Sequence, residues 1–198
     1  MNFDESTTKV NLARSFAAEC QAGARYQFMA KQAQSEELEF LKSTFKTLAK
    51  NEMAHAKLFY NYIIENAKDY HNIPIEAGYP FVNPVLCESL PNEAQFELFE
   101  AEKVYPSFAR VAKDEGFLDI AKSFEQVAEI EKSHAKINKF FADGYKNKSL
   151  YKSKTPKKWK CSNCGYEQVS KEAQKTCPVC SLPQGYVEIC FDSDSVEI

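Results

Sequence analysis

Two copies of a Glu-x-x-His motif are the feature of the sequence with the clearest chemistry: Glu52 with His55, and Glu131 with His134. Residues three apart lie on one face of a helix. The carboxylate and the imidazole of each motif can therefore bind one metal ion or two adjacent ions. The third histidine, His71, has no glutamate at that distance, and we assign it no role. The two motifs together predict a pair of metal ions.

Four segments with helical spacing would position these motifs. Their steps alternate between three and four residues, and the third segment is shorter and less apolar than the others. Such stripes predict amphipathic helices, each with one buried face. The stripes are Leu12, Phe16, Glu19, Gly23, Tyr26, Ala30 and Ala33; Leu41, Phe45, Leu48, Glu52, His55, Phe59 and Tyr62; Glu97, Glu100, Val104, Ser107 and Val111; and Ile120, Phe124, Val127, Glu131, His134, Asn138 and Phe141.

Acidic residues occupy core positions in all four stripes. A helical glutamate is ordinarily a solvated surface residue, but burying several carboxylates without cations is strongly unfavourable. One Glu from each of two helices, with Glu-x-x-His from each of the other two, is the ligand set of two-metal helical bundles. We therefore predict that the ions are bound by Glu19, Glu52, His55, Glu97, Glu100, Glu131 and His134.

Charge balance suggests how this site would respond to reduction. Five glutamates carry −5 and two ferrous ions +4, so a reduced site is better balanced if one carboxylate withdraws. Our hypothesis is that Glu100 moves and the neutral His55 replaces it, while Glu52 and Glu131 bridge the ions. Structures of both oxidation states with identical ligands would refute it.

The connection between the second and third stripes, Asp69 to Asn92, is far longer than the roughly 2–8 residues that usually join adjacent bundle helices. A crossover along the bundle explains this length, as in ferritin-like folds. Pro106 lies within the third stripe and predicts a kink. We therefore expect an all-α four-helix bundle, ferritin-like, with one long crossover.

Four of the seven cysteines form two Cys-x-x-Cys pairs near the C-terminus: Cys161 with Cys164, and Cys177 with Cys180. This pattern predicts a tetrahedral thiolate site that supplies much of the folding energy of a small module. Spacing alone does not separate iron from zinc, and a structural zinc ribbon is the common alternative. The remaining cysteines are interpreted as buried or free thiols; they are Cys20, Cys87 and Cys190.

Composition limits the partners and the compartment. A net charge of −3 and a pI near 5.7 give no general attraction to nucleic acid or anionic membranes, and no segment approaches a membrane span. Paired cysteines without an export signal indicate a reducing, cytoplasmic location. We expect a bundle over 1–144, a lysine-rich linker over 145–156 and the metal-stabilised module over 157–198.

With these residues placed, the chain resembles rubrerythrin over nearly its full length. The resemblance is specific because both metal motifs occur in order. Its segments are Phe16-Ala-Ala-Glu19, Tyr26, Glu52-Met-Ala-His55-Ala-Lys, Glu97-Leu-Phe-Glu100, Tyr105-Pro-Ser-Phe-Ala-Arg110, Glu131-Lys-Ser-His134 and Trp159-Lys-Cys161-Ser-Asn-Cys164-Gly-Tyr166.

The resemblance implies a di-iron site in the bundle, with an oxo or hydroxo bridge when oxidised, and a rubredoxin-like β/knuckle domain with one iron in four thiolates. Zinc is a possible substitute at either site. It also implies that Tyr26 and Tyr105 donate hydrogen bonds to the carboxylates, although ordinary core tyrosines are an alternative. The implied activity is an oxidoreductase that reduces hydrogen peroxide to water.

The same resemblance implies partners. Electrons would come from an external donor, an NAD(P)H-dependent reductase or a rubredoxin. The chain would form a homodimer in which one module lies near the partner's di-iron site.

Two alternatives stay open at this point: a ferroxidase or iron-storage protein with the same bundle ligands, and a metal-stabilised bundle whose zinc ribbon binds another protein.

Overall fold

The bundle helices correspond to the four predicted stripes. The structure, a computed structural model, describes residues 1–68 and 72–189. Three stripes fall within single long helices, and the third falls within a helix of three parts. The helices are α1 (Thr7–Ser35), α2 (Glu39–Asn66), α3 (Leu86–Phe99), a π-helical segment (Glu100–Val104), α4 (Tyr105–Asp114) and α5 (Leu118–Lys146). The predicted all-α four-helix bundle is confirmed.

Helices α1 and α2 pack against each other, and α3 and α4 pack against α5. Each pair includes a tight turn. In the α1–α2 turn Glu37 has φ 58°, and Leu38 N donates to Ala33 O at 2.9 Å. In the α4–α5 turn Gly116 has φ 89°, and Phe117 N donates to Ala112 O at 2.8 Å. Both are Schellman motifs, which bond the last carbonyls of a helix and reverse the chain.

The third helix differs from its prediction in where it begins and in which residues it buries. It begins at Leu86, so the predicted connection to Asn92 is too long, and Pro91 lies inside α3 with its ring exposed. In the π segment Tyr105 N donates to Glu100 O, five residues back. This wider turn rotates the following residues. From Glu97 onward the buried positions are Glu97, Ala101, Tyr105, Ala109 and Ala112, whereas Glu100, Val104, Ser107 and Val111 are only half-buried.

Two apolar clusters form the core of the bundle. One contains Leu12, Phe59, Tyr105, Phe124 and Val127. The other contains Tyr26, Phe45, Leu48, Leu90 and Phe141. The buried glutamates lie between these clusters along the helices, so apolar packing on both sides fixes the backbone that carries them.

The described part of the crossover runs along α1 without regular secondary structure. Arg14 Nε donates to Glu76 O at 3.1 Å, and the Tyr79 hydroxyl donates to Arg14 O at 3.2 Å. These reciprocal bonds attach residues 76–79 to α1. Among residues 1–68 and 72–189, no helix combines the length and apolar character needed to cross a bilayer.

A small antiparallel sheet follows the bundle, in the order β2-β1-β3, with β1 (Lys152–Cys161), β2 (Glu167–Glu172) and β3 (Val187–Ile189). Helix α5 continues past Gly144, where the sequence pattern predicted a break, and β1 begins inside the predicted linker 145–156. The division into 1–144, 145–156 and 157–198 stays a prediction.

The module contacts the bundle at the α1–α2 turn. Gly185 lies so close to Glu37 O that a Cβ at this position would overlap the carbonyl. Glycine is required here by the close approach of two backbones. The contact places the module at one end of α2.

Candidate metal centres

The bundle centre contains six of the seven predicted ligands, each buried. They come from four helices: Glu19 from α1, Glu52 and His55 from α2, Glu97 from α3, and Glu131 and His134 from α5. They form two groups in which potential ligand atoms lie within 4.8 Å of one another: Glu19, Glu52, His55 and Glu131, and Glu52, Glu97, Glu131 and His134.

The first group surrounds His55. Its Nδ1 atom lies 3.0 Å from Glu131 Oε1, 3.3 Å from Glu19 Oε2 and 3.5 Å from Glu52 Oε2. Helix α2 brings His55 to this point because it lies three residues, about one turn, after Glu52.

The second group surrounds His134 in the same way. Its Nδ1 atom lies 2.8 Å from Glu131 Oε2, 2.9 Å from Glu52 Oε1 and 3.9 Å from Glu97 Oε2. Glu52 and Glu131 thus direct one oxygen toward each histidine. Two shared carboxylates with one unshared carboxylate and one imidazole on each side make a two-metal carboxylate site.

The electrostatics of the centre favour added positive charge. Burial, with the nearby Glu131, raises the pKa of Glu19 well above its usual range. Burial, with Glu52 and Glu131, does the same for the pKa of Glu97. Each of these carboxyls therefore resists ionisation in the absence of a cation.

The pKa values of the two imidazoles are also raised, which favours their charged form. Although burial opposes their protonation, Glu131 and Glu19 raise the pKa of His55 to about 12. Glu131 and Glu52 likewise raise the pKa of His134 to about 9. Both histidines attract protons because the carboxylates around them need cations.

The donor set fits metal ions better than protons. Several buried atoms have no hydrogen-bond partner within the described part of the chain: Glu52 Oε1, Glu97 Oε2, both carboxylate oxygens of Glu131, and His134 Nδ1. His134 Nδ1 lies close to three carboxylates without a hydrogen bond to any of them. Oxygen and nitrogen atoms that converge without bonding to one another are arranged as metal ligands.

Glu100 is the predicted ligand that lies outside both groups. It begins the π segment and is half-buried. Burial, with the charges of Glu131 and Glu52, raises the pKa of Glu100 to about 8, so its carboxyl is electrostatically linked to the centre. Its role as a ligand stays a prediction.

Two tyrosines donate hydrogen bonds to the unshared carboxylates. The Tyr26 hydroxyl donates to Glu97 Oε1, and the Tyr105 hydroxyl donates to Glu19 Oε1. These bonds occupy one oxygen of each glutamate and leave the other facing the centre.

Sequence reasoning missed two asparagines next to these groups. Asn138 Nδ2 donates to Tyr26 OH at 2.6 Å, and Asn51 Nδ2 lies 3.4 Å from His134 Nε2. Asn138 carried a usable signal, because it is a polar residue in the same apolar stripe as Glu131. Asn51 lies outside the stripes and carried none.

A buried ion pair beside the centre was also missed. Arg25 Nε and Nη2 donate to the two oxygens of Glu93, at 2.8 and 3.1 Å, and Nη1 donates to Gln21 at 2.9 Å. Glu93 is only 1% exposed. It lies one turn before Glu97, and this spacing from a predicted ligand was the available signal.

The second metal centre is formed by Cys161, Cys164, Cys177 and Cys180, whose sulfurs lie within 4.8 Å of one another. Cys161 Sγ is 3.7 Å from Cys180 Sγ, and Cys164 Sγ is 3.5 Å from Cys177 Sγ. These separations approach the roughly 3.8 Å edge of a tetrahedron with metal–sulfur bonds of about 2.3 Å. The sulfurs therefore fit a single ion.

Two matching turns hold the thiols. Gly165 N donates to Cys161 O, and Ser181 N donates to Cys177 O, both at 2.9 Å. Gly165 has φ 77° and Ser181 has φ 61°, so serine occupies a backbone conformation that favours glycine. The N–H of Leu182 donates to Cys180 Sγ and lowers the pKa of that thiol to about 6.

The remaining cysteines take no part in the described centres. Cys20 is half-buried and Cys87 is exposed, and neither belongs to a ligand group. Cys190 and His71 lie outside the described residues.

Fold and centres together define a class of protein: a ferritin-like helical bundle with a two-metal carboxylate site, followed by a rubredoxin-like four-cysteine domain. Structural comparison agrees. Nigerythrin in its fully reduced, all-ferrous state matches with a TM-score of 0.60 at 25% identity, over 96% of this chain and 94% of that one. The bacterioferritin of Desulfovibrio desulfuricans matches at 0.52 and 22% identity, over 73% and 86%, which shows the fold alone.

The chain belongs to the rubrerythrin family. The family model "Rubrerythrin" matches residues 10–94, and "Rubrerythrin, rubredoxin-like domain" matches residues 159–188. The chain is 36% identical to the rubrerythrin of Clostridium perfringens over 92% of its length and 93% of that protein. It is 30% identical to the rubrerythrin of Nitratidesulfovibrio vulgaris, over 93% and 94%.

Proposed function

We propose that this protein is a non-haem di-iron peroxidase that reduces hydrogen peroxide to water, with electrons supplied through the iron of its four-cysteine domain. The observation that carries the proposal is the pair of ligand groups sharing Glu52 and Glu131, in one chain with four convergent thiols. Two metals joined by carboxylates can deliver two electrons together, whereas an ion enclosed by four thiolates passes them singly.

Iron is the proposed metal at both centres. Family membership and the all-ferrous nigerythrin structure support this choice. Two bound ferrous ions supply two electrons, so that one H₂O₂ and two protons become two molecules of water. In the bundle, Glu19, Glu52, His55, Glu97, Glu131 and His134 would bind them, with Tyr26 and Tyr105 fixing the unshared carboxylates.

The carboxylate exchange predicted from charge belongs to this proposal. His55 Nδ1 lies in a ligand group and Glu100 lies outside, which is the arrangement assigned above to the reduced site. Glu100 would enter on oxidation as His55 withdraws. Crystal structures of the diferric and diferrous protein test this exchange, and identical ligands in the two would disprove it.

The visible spectrum of protein purified without oxygen tests the main proposal. Iron in four thiolates is red when oxidised, bleaches on reduction and should recover its colour when hydrogen peroxide is added. Glu97→Gln should slow the recovery at least about tenfold, because it removes a charged ligand but retains the shape of the side chain. Recovery with oxygen but not with peroxide would favour the ferroxidase. A colourless protein would favour the zinc ribbon.

Electron transfer between subunits is the proposed use of a homodimer. Gly185 contacts the turn at Glu37, and Glu52 lies about 20 Å further along α2 at 1.5 Å per residue. A module bound there is remote from the centre of its own chain. The source of electrons would be an NAD(P)H-dependent reductase or a rubredoxin.

Mixed dimers test whether electrons cross between subunits. Cys180→Ser should remove electron transfer through the module, and Glu97→Gln should impair the bundle centre. Mixing the two proteins should restore part of the turnover if electrons cross between subunits. If mixed dimers form but turnover does not recover, electron transfer between subunits is refuted.

The cytoplasmic location also stays a prediction, which cell fractionation would check.

A further inference from the structure

Asn138 of α5 links two ligands on one side of the bundle centre. Its Nδ2 atom donates to His134 O at 3.0 Å and to Tyr26 OH at 2.6 Å. The Tyr26 hydroxyl in turn donates to Glu97. Glu97 and His134 are the unshared ligands of one side of the centre, here called the His134 half. A single amide therefore contacts the helical turn of one ligand and the hydrogen-bond donor of the other.

The backbone fixes the direction of these hydrogen bonds. A carbonyl oxygen can only accept, so the atom of the Asn138 amide beside His134 O must be the nitrogen. The second hydrogen of that nitrogen is available to the Tyr26 oxygen, which leaves the Tyr26 proton for Glu97. The hydrogen-bond chain therefore runs from Asn138 through Tyr26 to Glu97.

Asn138 occupies a core position where an apolar residue would pack well. It is 0% exposed and lies one turn after His134 in the apolar stripe of α5. Its Oδ1 has no hydrogen-bond partner within the described residues. A buried acceptor without a partner is unfavourable. The two donor bonds of the amide therefore account for this asparagine better than packing does.

The His55 half, whose unshared ligands are Glu19 and His55, has a similar arrangement without the amide. There the Tyr105 hydroxyl donates to Glu19. The residue four positions after His55 is Phe59, whose ring lies 5.8 Å from that of Tyr105 and has no donor for its hydroxyl. Within residues 1–68 and 72–189, no other group donates to Tyr105. The two halves therefore differ at a matched position, with Asn138 in one and Phe59 in the other.

We propose that Asn138 is a positioning residue that makes the two metal positions unequal, so that the ion in the His134 half is held more tightly than the ion in the His55 half. The inference rests on the two-metal site of the proposed function and adds an order of loading to it. A hydroxyl that accepts a hydrogen bond donates its own more strongly, and a fixed donor keeps the other oxygen of Glu97 toward the ion. The looser half is then the one in which His55 gives way to Glu100.

Cobalt titration of the full chain tests this order without turnover. One equivalent of zinc first fills the four thiols, which prefer it over the carboxylates. Co²⁺ then binds in the bundle, and visible absorption should show two binding steps. Asn138→Leu keeps the approximate size of the side chain but has no donor. It should weaken the tighter step about fivefold, as for one lost hydrogen bond, and leave the weaker step unchanged. An unchanged tighter step would overturn the role of Asn138.

Two further variants separate positioning from a general loss of structure. Asn11 is also buried, at 2% exposed, but lies about 12 Å from Glu19 along α1, so Asn11→Leu should leave both steps unchanged. In a Tyr26→Phe background, Asn138→Leu should have no further effect, because Tyr26 transmits it. Equal losses with and without the Tyr26 hydroxyl would refute the hydrogen-bond chain and assign the effect to packing.

Crystals that contain one equivalent of Co²⁺ beyond the zinc locate the first ion by its anomalous scattering. In the unmodified protein it should lie in the His134 half, and in Asn138→Leu it should be distributed more evenly. A first ion in the His55 half, or equal filling of both halves in the unmodified protein, would overturn this proposal alone. Iron-loaded protein that peroxide fails to oxidise would instead overturn the proposed peroxidase, because cobalt binding does not depend on turnover.

Discussion

The two metal centres are supported by their surroundings in different ways. The bundle centre lies between two apolar clusters on helices of up to 29 residues. The four-cysteine centre has beside it a cluster whose buried members are Trp159, Ala173 and Val187, in a module with one three-stranded sheet. Apolar burial therefore stabilises the bundle without metal, whereas the module has too little core to do so.

The two centres also differ in how their charged ligands are held in place. In the bundle, internal pairs such as Arg25 with Glu93, and hydrogen bonds such as Tyr26 to Glu97, keep the acidic side chains in place. In the module the cysteine sulfurs are held by backbone N–H groups, by the neighbouring thiols and, at Cys180, by the side chain of Asn163. Metal should therefore bind to a preformed site in the bundle and should fold its own site in the module.

The largest effect should follow from removing one thiol. Cys180→Ser should unfold the module and leave the helices intact, because binding of a structural ion contributes on the order of 10 kcal/mol in small metal domains. Trp159 is the single tryptophan and is 1% exposed, so its fluorescence should shift to the red while helical circular dichroism persists. Cys20→Ser is the control. If Cys180→Ser retained the native fluorescence, the module would not depend on its metal site to fold, unlike what we infer from its small core.

A smaller effect should follow from breaking the buried ion pair of the bundle. Glu93→Gln leaves Arg25 without its charged partner and should lower the free energy of unfolding by about 3 kcal/mol, as for other broken buried pairs. Urea unfolding in the presence of a chelator would measure this. Gln21→Ala is the matched control, because it removes a neutral contact of the same guanidinium. Equal stability of Glu93→Gln and the unmodified bundle would show that the pair has no structural role.

The smallest effect concerns a contact between helix ends. Glu115 accepts hydrogen bonds from Thr7 N, Thr8 N and Thr8 Oγ1 at the start of α1. Although partial burial opposes it, these bonds lower the pKa of Glu115 below its ordinary value. The stabilisation is therefore complete above the unfolded pKa and is lost as the pH falls through the lowered one.

Glu115→Gln should accordingly cost about 1 kcal/mol of bundle stability near pH 7, as for other helix caps. The cost should shrink as the pH falls below 4.5, in urea titrations of the two proteins. Glu125→Gln breaks an exposed pair with Lys113 and should change little at any pH. A cost that does not depend on pH would assign the effect to packing.

How far the sequence predicts each helix depends on its regularity. The stripes through Phe45 and Phe124 locate α2 and α5 because an unbroken α-helix keeps its period. The third stripe predicts burial correctly at Glu97 but fails after it. The π segment lets Tyr105 bond to Glu100, which changes the period, and no apolar pattern in the sequence announces that turn.

The sequence by itself determined which residue types are available to bind metal and their spacing within each helix or cysteine pair, because local geometry fixes those distances. Only the tertiary structure decided that Glu52 and Glu131 share their oxygens between two histidines, and that Glu100 lies outside both ligand groups. These features depend on packing between segments distant in the chain, where a rotation of one helix by part of a turn changes which atoms meet.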